Sequence, residues 1–572
     1  MPVRQPLHAR DTSCCGDGKG SGNNRRQRPH APGAAADGGD RTRMNGNASS
    51  QNQQHGLVLI KNAAHCLFNS TMTAVIGWAI SVWIARQLGV SNYGIFTLVL
   101  WLSGIGSSAI GMGFSHAVTK FVAEHRGRQE HEVVGPIVLF VLKIEILLSA
   151  GTTLVLVFFA TPIADFWFSP SESFYFFLAF LGILPGIVTA ILSATIEGLQ
   201  KFQYFTYANL IITPFSLASK VAVVLMGKGI GGLLTVMLVF SFINTLFYAI
   251  VLKKEGIWTA HGPDAGVRKA LKRRIHKYNM SVMAIIVCNK IIWDKSENFF
   301  LGRFWTATEV GFYNLGFNIV WQFSRFLPNT FWRVLFPAMS HYAGAGDHHK
   351  TRRVFFLTTR YLAFMSFPIG VGGAILAYPM IHFLYGHSFI GAQRPLQIMF
   401  LASIVTMICN PGAAVLYGYD RQAFIYKLGF VMAVVNVILD IILIKPFGAV
   451  GAALCFSLTT VVGSTIGTIY TCRVMDLRFP IISLVKILFA TIIMGIAMEL
   501  IVLQNYKLLG FVLAVLVGGF VYLVSALALG TFEEEDYTLL QSIDRILPGK
   551  SKRIIHWLVK FVSSVKTQNG GV

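Results

Sequence analysis

From about residue 57 onward the chain alternates long apolar runs with short polar joints. The runs fall near 57–85, 94–116, 134–160, 173–196, 205–226, 230–252, 279–302, 310–338, 355–384, 395–417, 424–444, 449–472, 481–503 and 508–530, which makes fourteen. A helix needs about 20 apolar residues to cross a bilayer, and these runs supply them. Lipid offers open backbone groups no partner, so each run must be helical. The weak alternation of a membrane β-barrel is absent. The pattern predicts an all-α integral membrane protein of about 14 transmembrane helices.

The two ends read differently. Residues 1–55 are rich in Gly, Asn, Arg and Ser and hold no apolar run, which predicts a disordered N-terminal tail. It lacks the apolar stretch of a signal peptide, and Met44 is an alternative start to Met1. After residue 530 the chain opens on Glu533, Glu534, Glu535 and Asp536. It then places apolar residues at helical spacing in KRIIHWLVKFVSSVK from Lys552, which predicts an amphipathic cytoplasmic tail over 531–572. Gly549, Lys550 and Ser551 resemble the end of a phosphate-binding loop. Asp544 stands where such a loop requires glycine, so no nucleotide site is predicted.

Composition sharpens the class. Hydrophobic residues make up 54% of the chain and charged ones 13%, with a mean hydropathy of +0.59. A soluble domain carries about a quarter charged residues. The net charge is +22. In a soluble protein that excess would point to nucleic acid; here it marks cytoplasmic loops by the positive-inside rule. With the N-terminus inside, about twenty basic residues fall in cytoplasmic joints against six outside: Arg86, Lys228, Arg303, Arg394, Lys445 and Lys507. Both termini are therefore expected in the cytoplasm. The seven Cys show no metal-ligand spacing, so no cofactor or metal is predicted.

An internal repeat is visible. ARQLGVSNYGIF from Ala85 aligns with GRFWTATEVGFY from Gly302, which sets Gly94 against Gly311. Further on, GLQK from Gly198 matches GYDR from Gly418, and GIGG from Gly229 matches GAVG from Gly448. The offsets are 217, 220 and 219. They predict a first six-helix bundle over 56–253 and a basic cytoplasmic linker over 254–278. A second, pseudo-symmetric six-helix bundle follows over 279–474, and then two extra helices over 475–530. The shift is an even number of spans, so the repeat is parallel, as in some transporters.

The same segments resemble the MOP flippase superfamily, and within it the Wzx-like polysaccharide exporters. Three stretches carry the resemblance: IARQLGVSNYGIFTLV at 84–99, ENFFLGRFWTATEVGFYNLGFNI at 297–319 and NVILDIILIKPFGAVGAAL at 436–454. It covers about 57–545. It departs at Lys445, inserted before Pro446, and at Asp440, where the family often has Asn. The resemblance implies two bundles around a central cavity that work by alternating access. It also implies a cargo such as a polyprenyl-pyrophosphate-linked oligosaccharide.

Charges at membrane depth are functional candidates by default. In the seventh run, Lys290, Asp294 and Glu297 fall at i, i+4 and i+7, one face of a continuous helix, while Lys295 points elsewhere with no acid on its face. Arg325 and Arg333 lie in the eighth run, with Asn329 between them. Lys290 and Arg325 come out at comparable mid-depth, where two cations suit a pyrophosphate. Lys61 either meets the phosphate at the inner surface or snorkels there. Arg333 has the same two options. Asp440 either binds a coupling ion or makes a buried hydrogen bond with Asn436. Lys143 and Glu145 in the third run do not share a face, and no role is assigned to them.

The mid-depth charges are Lys290, Lys295, Arg325 and Arg333 against Asp294, Glu297 and Asp440. That basic balance favours an anionic cargo over the cations of a MATE-like organic-cation or drug antiporter. A lipid-linked peptidoglycan precursor stays open as cargo. A membrane polymerase or ligase would need a large outer loop with catalytic residues. The outer joints are only about 6 to 14 residues, so the chain is not expected to be an enzyme. The expected partners are the lipid-linked oligosaccharide, membrane lipid, a coupling ion (H+ or Na+) and glycan assembly proteins, with no nucleic acid.

Overall fold

The computed structural model describes residues 76–108, 110–111, 113–259, 273–274, 295–504 and 508–531. The predicted terminal tails, most of the linker and most of the seventh run lie outside the described residues. So do Lys61, Lys290 and Asp294. The side chains of Arg325 and Arg333 also lie outside them.

All regular structure among the described residues is helical. The first part holds α1 (Ile76–Ser108), α2 (Phe114–Gly127), α3 (His131–Phe158), α4 (Ala160–Trp167), α5 (Ser173–Leu181), α6 (Ile183–Gly198), α7 (Gln203–Leu225) and α8 (Gly229–Lys254). After the linker come α9 (Glu297–Phe304), α10 (Ala307–Gly344), α11 (His348–Ile375), α12 (Ala377–Leu384), α13 (Gln393–Gly418) and α14 (Gln422–Leu439). A single π turn, Asp440–Ile444, leads into α15 (Lys445–Met475), and α16 (Ile481–Gln504) and α17 (Leu508–Ala528) complete the order.

Among the described residues, ten helical stretches are long and apolar enough to cross a membrane. Two of them fold back on themselves, which brings the count nearer the fourteen expected. Gln422–Met475 spans 54 residues. Straight, it would be about 80 Å long, far more than a bilayer core of about 30 Å. It reverses at Gly448, where φ is 55° and ψ is −132°. The glycines show the antiparallel pairing. A Cβ on Gly463 would lie 3.1 Å from Met432 Cγ, and one on Gly467 3.7 Å from Leu428 Cδ2. As the number rises on one arm it falls on the other. Glu309 Oε2 accepts from the Ala449 amide at 2.7 Å and fastens the turn. A Cβ on Gly448 would meet that same oxygen at 2.7 Å, so the position excludes a side chain twice over. In α1 the reversal falls at Gly89, with φ 74°. The Tyr93 hydroxyl lies within reach of Ser81. In a straight helix those Cα atoms would stand about 18 Å apart, beyond the reach of both side chains. The helix α10 has 38 residues and is long enough to cross, although its amides and other polar residues make it less apolar than the ten.

The repeat is written into the backbone. Left-handed residues recur as Gln129 and Gly346 (φ 62° and 67°), Gln200 and Asp420 (57° and 55°), and Gly229 and Gly448 (57° and 55°). The helix ends match as well. Glu130 N donates to His125 O as Asp347 N does to Tyr342 O, and Lys201 N donates to Ile196 O as Arg421 N does to Leu416 O. These are the closing bonds of left-handed C-caps. Packing repeats too: Gly198 lies against Val122, and Gly418 lies against Met339, its counterpart.

The apolar core is divided in a way that matters for function. One cluster joins residues of both halves, among them Leu98, Phe180 and Leu233 from the first and Leu301, Tyr313 and Leu396 from the second. A second cluster, with Val118, Phe121, Val138, Ile191 and Leu252, belongs to the first half alone. A third, with Leu335, Met339, Phe355 and Val415, belongs to the second alone. The two private clusters lie toward the end where the linker leaves α8. Among the described residues the halves therefore share a core at one end and keep separate cores at the linker end.

Candidate functional site

Three contacts close the end opposite the linker. Gly94 and Gly311, the aligned glycines of the repeat, meet back to back: a Cβ on Gly94 would fall 1.7 Å from the Ala307 carbonyl oxygen, and one on Gly311 2.5 Å from Val90 O. Trp167 Nε1 donates to Phe299 O at 3.3 Å. Arg86 Nη1 donates to Phe383 O, also at 3.3 Å.

Just inside this seam lies a buried polar cluster. Lys295 has φ 58°, and α9 begins only at Glu297. The chain is therefore not one continuous helix through the seventh run. This corrects the predicted face that joined Lys290 and Asp294 to Glu297. The break turns Lys295 inward. Its amine donates to Asn314 Oδ1 at 3.0 Å and Asn318 Oδ1 at 3.1 Å, and sits 4.3 Å from the centre of the Phe317 ring. Asn314 and Asn318 are one turn apart on α10, so both amides face the same way. Asn318 Nδ2 donates across the seam to Tyr93 OH at 3.1 Å, and Asn314 Nδ2 to Asn298 Oδ1 at 2.7 Å.

Two acids complete the cluster. Glu297 is 2% exposed and Asp440 0%. The Asn436 amide stands between them, 3.3 Å from Glu297 Oε1, 3.3 Å from Asp440 Oδ2 and 2.9 Å from Ser296 Oγ. Ser296 Oγ donates to Asp440 Oδ2 at 2.8 Å. Among the described residues Asp440 Oδ1 has no nitrogen or oxygen partner, and the Cys455 thiol lies beside the carboxyl. Asp440 opens the π turn, a geometry often found at functional sites. The expected bond between Asp440 and Asn436 is present, and it is one strand of a larger network. Lys295 belongs to the same cluster and does not point elsewhere. Sequence reading missed Tyr93, Ser296, Asn298, Asn314 and Asn318. The one available signal was their amides and hydroxyls inside apolar runs.

Two cavities, of about 240 and 220 Å³, adjoin this cluster and share Thr406, Asn410, Phe456 and Thr460. The first reaches Asn436. The second is lined along α10 by Trp321, Ser324 and Asn329. Arg325 occupies the position one turn beyond Trp321 and one turn before Asn329.

A multi-pass helical membrane protein with duplicated halves and a buried polar seam is the architecture that the resemblance to the MOP flippase superfamily implies. Residues 83–394 match the family of polysaccharide biosynthesis proteins, and the chain belongs to it. A Klebsiella pneumoniae protein described as an uncharacterized membrane protein in the cps region is 22% identical over 57% of this chain and 66% of its own length. A probable flippase of Haloferax volcanii, AglR, is 25% identical over 43% of this chain and 52% of its own. The chain thus spans just under two thirds of the first relative's length and about half of the second's. Among solved structures, the lipid II flippase MurJ in an inward closed conformation superposes with a TM-score of 0.64. It covers 82% of this chain and 98% of its own at 16% identity, which is a likeness of fold.

Proposed function

We propose that this protein is a flippase that moves a polyprenyl-pyrophosphate-linked oligosaccharide, a polysaccharide repeat unit, across the cytoplasmic membrane by alternating access. The observation that carries this reading is the division of the core. The halves are sealed together at one end and separate at the linker end, which is one of the two states such a cycle needs. The family supports a glycan cargo, and the relative described as a probable flippase supports the reaction. A lipid-linked peptidoglycan precursor is the second cargo consistent with the fold. A MATE-like cation antiporter fits less well with a lysine at the seam and arginines along α10. The reading needs no enzymatic step.

In this reading the linker end is cytoplasmic, the two bundles run over 56–253 and 279–474, and both termini are cytoplasmic. The cargo-facing residues are Lys61, Lys290, Asp294, Lys295, Glu297, Arg325 and Arg333. Asp440 takes part in coupling to an ion. Glycan assembly proteins deliver or receive the cargo. Topology is tested by reporter fusions: those after residues 265 and 345 should report inside, and those near 168 and 390 outside. A reversed pair would end the arrangement.

Cargo is tested at Arg325 and Lys290. A pyrophosphate leaving water needs fixed cations to replace its hydration, and a guanidinium offers a bidentate fork. Arg325→Gln should abolish export of finished glycan at normal membrane abundance, Arg325→Lys should restore part of it, and Lys290→Ala should be worse than Lys290→Arg. Normal export per molecule in both neutral variants would remove the basic-cavity reading and favour a cationic cargo.

A further inference from the structure

The first half holds an ionisable group that the seam does not use. Glu145 stands at the middle of α3, is 0% exposed, and neither of its carboxyl oxygens has a hydrogen-bond partner among the described residues. An ionised carboxylate stranded in this way at membrane depth costs several kcal/mol. A protonated carboxyl avoids that cost.

Two observations give that proton a route. Ser149 and Thr153 follow at i+4 and i+8 on the same face of α3. Both are buried, and Thr153 Oγ1 is also without a partner. The strip runs about 12 Å from Glu145 toward the end away from the linker. In the other direction α3 is sealed by Val134, Val138, Val141 and Leu142, at most 6% exposed. The second observation is a break in the neighbouring chain. Ile110 is still helical and Gly111 N donates to Ser107 O at 3.0 Å, and α2 starts at Phe114 after Gly113, whose φ is 88°. The helices α2 and α3 run antiparallel around a turn at Gln129, and Gly113 and Glu145 are equally far from it, so they lie at one depth. Non-helical backbone at membrane depth is tolerated where protein buries it or where it lines a wet path.

Among the described residues no charged group pairs with Glu145. On its own helix, Lys143 is exposed. On the packed helices, His116 and Lys120 of α2, Asp165 of α4 and Glu197 of α6 are exposed, and Tyr175 of α5 makes no bond to it. Glu124, His125 and Arg126 are held at the linker end by Arg274, Glu130 and Leu199 O.

We propose that Glu145 is a proton-binding site of the first half, loaded from the face opposite the linker and emptied when the halves rock, so that proton movement drives one leg of the cycle. The proposal rests on the alternating-access reading but not on the identity of the cargo. The chemistry is one proton taken up by a carboxylate and given back.

The test uses the full chain in right-side-out membrane vesicles without cargo. Two signals are read: the infrared carbonyl stretch of a protonated carboxyl, and the labelling rate of a thiol at Asn329→Cys as the outer pH alone is changed. Wild type should show the stretch, and its labelling should change by up to about tenfold per pH unit, the limit for one proton. Glu145→Gln should lose the Glu145 component of the stretch, read as a difference from wild type, and the pH response. Glu145→Asp should keep the pH response and shift the stretch. A wild-type minus Glu145→Gln difference spectrum with no protonated-carboxyl band, labelling that still follows outer pH there, or wild-type labelling indifferent to pH would each overturn the proposal. So would failure of Glu145→Gln to accumulate, since glutamine is the neutral isostere of the protonated acid. Failure of the Arg325 export test, by contrast, would remove the cargo reading and leave these signals standing.

Discussion

Replacing Gly94 by alanine should lower transport by about tenfold or more while the protein still inserts at normal abundance. The added methyl would lie 1.7 Å from the Ala307 carbonyl oxygen and 3.0 Å from the Gly311 amide. Both obstacles are backbone, so no side-chain rotation relieves them. Overpacking of this kind costs about 1–3 kcal/mol. Spent against one of two conformations, that changes their ratio by about 5–150-fold. The clash exists only while the halves are sealed at the end away from the linker. The variant should therefore populate the opposite state, and a thiol at Asn329→Cys should label more slowly from the linker side. Trimming residue 307 to glycine should give no rescue, because the oxygen in the way remains. Wild-type transport in Gly94→Ala would mean that this seam does not close during the cycle.

The membrane helices were legible because hydropathy is a local sum, and a run such as 481–503 needs no partner to declare itself. The fold-back at Gly448 was legible as well, since FGAVG breaks an apolar run with small residues. The repeat announced that Gly94 and Gly311 correspond. It could not announce that they touch, because contact between two repeats depends on how the halves are set together. The site was less visible. Lys295 adopts φ 58°, a cost of about 1–2 kcal/mol for a residue with a Cβ. Nothing in CNKIIWDKSENFF carries the glycine or proline that normally marks such a break. Bonds to Asn314 and Asn318, close to twenty residues away, hold it there, and a local pattern cannot contain them. The amides themselves escaped notice because one Asn among apolar neighbours barely moves a hydropathy average.

Neutralising either acid of the seam, by Asp440→Asn or Glu297→Gln, should reduce transport by about 10–100-fold, the range typical when a group that orients an ion site is lost. The same change should leave thermal stability unchanged or raise it. The two effects point in opposite directions for a physical reason. Two carboxyls that share one Asn436 amide in a water-poor interior are a poor way to hold helices together, and replacing buried charge by neutral groups of like shape is often stabilising. They are a good way to hold one added positive charge, because Asp440 Oδ1 has no nitrogen or oxygen partner among the described residues and the Ser296 hydroxyl is already oriented. Each substitution keeps shape and hydrogen bonding and removes only that capacity. Activity should therefore fall without a loss of folded protein, and the response of transport to an imposed H+ or Na+ gradient should vanish with it. Because the acids act as a unit, the double variant should be little worse than either single one. Asn436→Ala is the contrasting control. It removes the shared donor, leaves the carboxyls facing each other, and should lower both activity and the melting temperature. If Asp440→Asn instead melts earlier and transports normally per molecule, the network is structural, and the coupling role falls with it.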